Sequence, residues 1–158
     1  MYLNIRNMKF LFPITIVLFS ILFTETVLAK PKPDDILGKW ISGEKNLIVE
    51  VYKVGSEFRA KIIWFNDSDD KSQPMNVRRD FKNSDPKLRQ RKIIGMEILQ
   101  GLHFNETKGE WQNGNIYDAK NGHEWNAKVN LIENKQLKVR GYWHIEVIGQ
   151  NLYFNKIS

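Results

Sequence analysis

The residues best suited to chemistry fall in one stretch, 80–91. Asp80, Asn83 and Asp85 supply carboxylate and amide groups, and Arg89 and Arg91 add forked donors a few positions on. A guanidinium meets a carboxylate or a phosphate with two parallel hydrogen bonds. Such a loop can grip the anionic headgroup of a small molecule. It can equally pair its own acids with its own arginines and pin itself to the fold. Both readings stay open on sequence alone. The wider segment 78–92 holds seven basic residues against two acidic ones, a local surplus of +5. A positive field of that kind attracts anionic partners.

Other chemistry is thinly supplied. The chain has no cysteine, and no serine stands in a nucleophile-elbow context. His103, His123 and His144 fall on expected strands, without the four-residue helical spacing of a metal pair. Asp67, Asp69 and Asp70 lack the glycine and closing glutamate of a calcium loop. No cofactor or metal is expected, and an enzyme is the least favoured class because no acid–base pair stands out. Aromatic side chains are the abundant resource, with five tryptophans in 158 residues. Trp64, Trp125 and Trp143 fall on expected inward faces, with Tyr117 and Tyr142 elsewhere on the strands. They read either as core packing or as the lining of an apolar ligand cavity.

The elements that must position these groups are strands. Leu47, Val49 and Val51 alternate along one run, and Phe58, Ala60, Ile62 and Trp64 along the next, with a turn at 54–57. Period-two alternation is the mark of a half-buried strand. Residues 66–92 break the pattern as a long polar loop, in which Asp85 and Pro86 suit the start of a helical turn. Alternation resumes through Ile94, Met96, Ile98, Leu102 and Phe104. Residues 114–119 and 123–132 then form a hairpin across Asn121-Gly122, a two-residue type I′ signal. A further strand is expected from Leu137 to Val147, then a turn at Gly149-Gln150 and a last strand with Leu152 and Phe154. About eight strands with short connections predict an all-β antiparallel meander closed into a barrel, with an open sandwich as runner-up.

The first 29 residues have another purpose. Arg6 and Lys9 precede an apolar run from Leu11 to Phe23, and Val27-Leu28-Ala29 ends in a small residue. That is the order of a cleavable secretory signal, and the run is too short for an uncleaved anchor. Cleavage leaves one domain, 30–158, with 22 basic and 17 acidic residues, expected to be periplasmic or secreted. Without cysteine it cannot carry the usual bacterial lipid anchor. Nucleic acid is not an expected partner in that compartment, and no other segment is apolar enough to span a membrane.

The order of several short motifs points to a family. Gly38-Lys39-Trp40 opens the first strand. Asp80, Asn83, Asp85, Leu88-Arg89-Gln90-Arg91, Gly95, Ile98-Leu99 and Gly101-Leu102 follow in order. Trp111, Gly114, Ile116-Tyr117-Asp118, Gly122 and 137–142 complete the series. This succession resembles the exported bacterial proteins catalogued as domain of unknown function 2147, over roughly 36–155. The resemblance implies a lipocalin-like barrel with a signal peptide and carries no established catalytic residues. By the same analogy Trp40 closes the barrel floor, under a cationic cap from Arg140 or Lys156. The chain departs from the pattern at Ser84, where proline is usual, and at Tyr153-Phe154, where the family has tryptophan then arginine. The expected function is binding of a small amphipathic ligand, its tail among Trp64, Trp125 and Trp143 and its headgroup near Arg89 and Arg91. The alternative is an envelope interaction module that docks an anionic surface or partner through the basic loop.

Overall fold

The computed structural model describes residues 30–133 and 135–157. The expected signal segment, 1–29, lies outside the described residues. The rest forms a closed meander of eight strands: β1 (Gly38–Ser42), β2 (Leu47–Val54), β3 (Glu57–Phe65), β4 (Glu97–Asn105), β5 (Glu110–Asp118), β6 (His123–Ile132), β7 (Gln136–Tyr142) and β8 (Gly149–Lys156). Each strand pairs antiparallel with the next, and β8 returns to β1 through Trp40 opposite Lys156 and Ser42 opposite Phe154. Closure leaves no open edge in the sheet.

Alternation explains why these residues make this barrel. Val49 and Val51 on β2, Phe58, Ala60 and Ile62 on β3, Ala127 and Val129 on β6, and Leu137 and Val139 on β7 are all buried. Their neighbours in sequence face water, as a pleated strand requires. The interior is nearly solid. A void of about 30 Å³ lies within it, lined by apolar side chains that include Val51, Leu102, Ile116, Val129 and Phe154. That is room for about one water molecule. Glycine is needed where the walls come closest: a Cβ on Gly114 would stand 2.7 Å from Leu102 Cδ1.

The two ends differ. A single 3-10 turn, Pro33–Ile36, plugs the floor. The Trp40 indole donates to the Ile36 carbonyl at 2.8 Å, and the Trp111 indole donates to the Pro33 carbonyl at 3.0 Å. Lys156 lies 5.2 Å from the centre of the Trp40 ring. The expected cationic cap is therefore Lys156 and not Arg140, which is engaged elsewhere. At the opposite, open end stand the β1–β2 turn, the long β3–β4 loop, the β5–β6 turn and the β7–β8 connection. Among the described residues no helix is long and apolar enough to cross a membrane.

Three local expectations need correction. β7 stops at Tyr142 instead of reaching Val147, and residues 143–148 form an exposed connection. Arg140 captures the Glu146 carbonyl at 2.8 Å and the Val147 carbonyl at 2.9 Å, so those acceptors never enter the ladder. Gly149 and Gln150 lie within β8 rather than in a turn. The β5–β6 turn is not type I′, which needs a positive φ at both central residues. Only Gly122 has one (φ 76°), and the Asp118 carbonyl accepts from both Asn121 and Gly122.

Candidate functional site

The long loop is built around a buried carboxylate. Asp80 is fully buried, and leaving such a charge unpaired would cost several kcal/mol. Three donors answer it. The Tyr117 hydroxyl donates to Oδ1 at 2.6 Å, and Asn83 Nδ2 and Arg91 Nε each donate to Oδ2 at 2.8 Å. Asn83 Nδ2 also reaches the Tyr117 oxygen at 3.0 Å, and the Arg91 guanidinium lies 4.9 Å from the centre of the Tyr117 ring. Burial raises the Tyr117 phenol above its ordinary range, and the hydrogen bond and charge of Asp80 raise it further. The phenol therefore stays protonated, as a donor must.

The same segment holds itself in shape. Asp85 caps the turn Pro86–Leu88 by accepting from the Lys87 amide at 2.9 Å, as its sequence suggested. Arg89 Nε donates to the Asn83 carbonyl at 2.8 Å. Arg78 bonds Asp69 and three loop carbonyls, and Arg79 bonds the Gln90 carbonyl. Of the two sequence readings, internal pairing describes the arginines of 78–91.

Register places this cluster outside the barrel. Ile116, opposite Trp125, lines the interior void, so Tyr117, opposite Glu124, takes the outer face of β5. The loop roofs that face and does not cover the mouth. Gly122 lets it dock: a Cβ there would fall 1.9 Å from the Lys82 carbonyl oxygen. Sequence reading singled out all four members of the cluster, but not this glycine's part in it.

A second group forms at the open end. Trp125 and Trp143 meet edge to face, with ring centres 5.7 Å apart. His123 flanks the first at 6.5 Å and His144 the second at 5.3 Å. Trp125 shares the inward face of β6 with Ala127, and its Cβ lies beside Gly141. Leu152, opposite Val139, shares the inward face of β8 with buried Phe154. Yet Trp143 is 57% exposed and Leu152 49%. Trp125 and Leu152 at inward positions, with Trp143 packed on Trp125 from the connection that follows β7, leave a shelf of apolar groups open to solvent at the mouth. Leu152 was missed because one leucine in a polar strand carries little signal. Trp64, at the end of β3, is half-buried and pairs with Ile48; no ring contact joins it to the other two among the described residues.

Arg140 belongs to a third cluster, on the outer face of β6 and β7. Besides its two carbonyl bonds it donates to Asn151 Oδ1 at 2.9 Å. Beside it Lys128 pairs with Glu146 and lies 3.7 Å from Glu110. Burial alone would raise the Glu110 carboxyl. Hydrogen bonds from Asn130 and Gln112 and the charge of Lys128 outweigh that and hold it below its ordinary value. This cluster straps the 143–148 connection to the wall. Among the described residues no three His, Asp or Glu side chains are grouped to hold a metal.

Comparison with known proteins agrees with this geometry. A solved structure, described as "Protein HP1028 from the human pathogen Helicobacter pylori belongs to the lipocalin family", superposes with a TM-score of 0.66 at 23% identity, over 77% of this chain and 82% of that one. At that identity the likeness shows the fold alone, a lipocalin-like barrel. No curated protein matches the chain. The matching family model spans residues 38–156, from the start of β1 to the end of β8, and so the chain belongs to the family described as "Uncharacterized protein conserved in bacteria (DUF2147)".

Proposed function

We propose that this is an exported binding protein that holds the apolar part of a small amphipathic molecule at the open end of its barrel. One observation carries the reading: Trp125 and Leu152 stand at inward strand positions, Trp143 packs on Trp125, and all three remain open to water above a sealed floor. The void below them, about 30 Å³, is far smaller than the roughly 300–1,000 Å³ of a small-molecule site. The tail therefore lies on the shelf and not deep among the core side chains. Arg89 and Arg91 are committed to the outer wall, so they do not meet the headgroup. His123 and His144, at the two edges of the shelf, are the polar groups beside it.

The test is a fluorescence titration of the purified protein with fatty acids and lysophospholipids kept monomeric. A saturable change is expected, weakened in Trp143→Ala and in Leu152→Ser. A flat response across the panel, or unchanged affinity in both variants, refutes the reading. Export is tested separately by sequencing the N-terminus of the protein recovered outside the cytoplasm. Lys30 is the expected first residue, and an intact Met1 refutes cleavage.

A further inference from the structure

A groove lies on the outer wall of β6 and β7. It holds about 490 Å³ and is lined by Lys128, Asn130, Lys138, Arg140, Glu146 and Val147. That volume falls within the roughly 300–1,000 Å³ of small-molecule sites. Strand register builds its base. Lys128 stands opposite Arg140, and Asn130 opposite Lys138. Ala127, Val129, Leu137 and Val139 are the buried residues that alternate with them, so all four take the outer face. The 143–148 connection supplies Glu146 and Val147, and Arg140 holds it there by their two carbonyls.

Three of the four base positions are cationic, and like charges opposite one another oppose pairing unless anions answer them. Two acids do. Glu146 pairs with Lys128, and Glu110 lies 3.7 Å from the same ammonium while accepting from Asn130 at 2.8 Å. Arg140 is fixed by its two carbonyls and by Asn151. Lys138 pairs with no acid among the described residues. Three cations against two acids leave one positive charge, and the lysine with an uncommitted ammonium carries it. Its three donors sit on a flexible stem and can reach a ligand.

We infer that this groove binds the carboxylate of a small organic monoanion, with Lys138 as its ion-pair partner and Val147 against its apolar part. The wall already seats one carboxylate, that of Glu146 on Lys128. Val147 is 85% exposed, so covering it removes apolar surface from water. A monoanion balances the surplus charge. A phosphate dianion would turn the groove negative and be repelled by Glu146 and Glu110. Trp125 and Leu152 stand on the other face of the same sheet, so this site is separate from the shelf at the mouth.

The experiment is a titration of the isotope-labelled protein with benzoate, followed by amide NMR shifts. Amides of 128–130 and 138–140 should move together and saturate, with a dissociation constant of about a millimolar. Benzamide, the neutral analogue, should leave them in place. Lys138→Gln should weaken binding about tenfold, and Lys138→Arg, which keeps the charge, should retain it. Glu146→Gln releases Lys128 and should tighten binding. Leu152→Ser alters the inward face and should leave binding as it is. Shifts that never saturate, benzamide acting like benzoate, or equal binding by parent and Lys138→Gln overturns the inference. So does tighter binding of inorganic phosphate at the same amides, since that assigns the groove to a dianion. Loss of benzoate binding in Leu152→Ser also overturns it, because the anion then belongs to the mouth.

Discussion

Replacing Asp80 by alanine should loosen the long loop while leaving the barrel closed. Residues 66–96 have little apolar core of their own: Phe81 and Leu88 are exposed, and Asp80 and Asn83 are the buried polar residues. Their attachment to β5 runs through the Asp80 carboxylate and its three donors. Hydrogen bonds to a buried charge are worth about 1.5–3 kcal/mol each in net terms. Here they share one acceptor, Arg91 can turn to solvent, and Tyr117 keeps Asn83, so the three do not add. About 2–3 kcal/mol for opening the loop is a fair total. At 1.36 kcal/mol per decade this raises the open population by about 30- to 160-fold. Seven lysines and arginines lie in 78–92, so trypsin reads that population directly when reclosing is fast. Cleavage within 78–92 should accelerate by that factor in Asp80→Ala. In Tyr117→Phe, which removes one donor, the gain should be about tenfold. Both variants should keep barrel strands protected from hydrogen exchange. Cleavage at the parent rate in Asp80→Ala would refute the claim that this carboxylate holds the loop. Collapse of the whole barrel would refute the claim that the loop is a separate unit.

Gly122→Ala should destabilise the chain by at least about 2 kcal/mol, because its φ is +76° and its Cβ would collide with Lys82; urea unfolding measures this, and a loss under half a kcal/mol would be too small for the clash. Glu110 should contribute stability that is complete above the unfolded carboxyl pKa and lost as pH falls through its depressed folded value. Glu110→Gln should therefore flatten the acid limb of a stability profile, and an unchanged slope counts against the strap. Tyr52 is pushed up to about 12 by burial and by its bond to Glu97. Its stabilising contribution is complete below the ordinary tyrosine value and fades as pH rises toward 12. Difference absorbance should show late-titrating phenols from Tyr52 and Tyr117, of which one disappears in Tyr52→Phe; a parent protein whose phenols all ionise near 10 would contradict it.

The sequence was most readable where packing alone decides. β6 alternates cleanly, and the structure buries Ala127 and Val129 while its neighbours stay wet. The cap at Asp85 was equally plain, since a side chain and the amide two residues on settle it locally. Residues 143–148 misled because Trp143, Ile145 and Val147 keep a strand's rhythm. What removes them from the sheet is a contact from Arg140, earlier in the same run, whose side chain takes two backbone carbonyls. Tyr117 shows the same limit for the site. Its type and position marked it as interesting, but its face depends on register with β6, and register is a property of pairs. Whether Arg89 and Arg91 faced a ligand or their own loop likewise turned on where that loop docks. Gly122, and the backbone it admits, decides this through a contact forty residues distant in the chain.

The seam between β1 and β8 sets the tempo of assembly. Seven of the eight strand pairs join neighbours in sequence, and all of these but β3–β4, with its long loop, can zip up as hairpins. The eighth must bring Trp40 to Lys156 across almost the entire domain. Closing a loop of that length is entropically costly and offers no reward until the ends meet. The last event on the folding route should thus be this closure, with the floor turn seating beneath it. Until then the nascent sheet exposes two bare edges and an apolar inner wall. For a chain without disulfides to lock partial structures, that interval is when it is most vulnerable to sticking to its own kind.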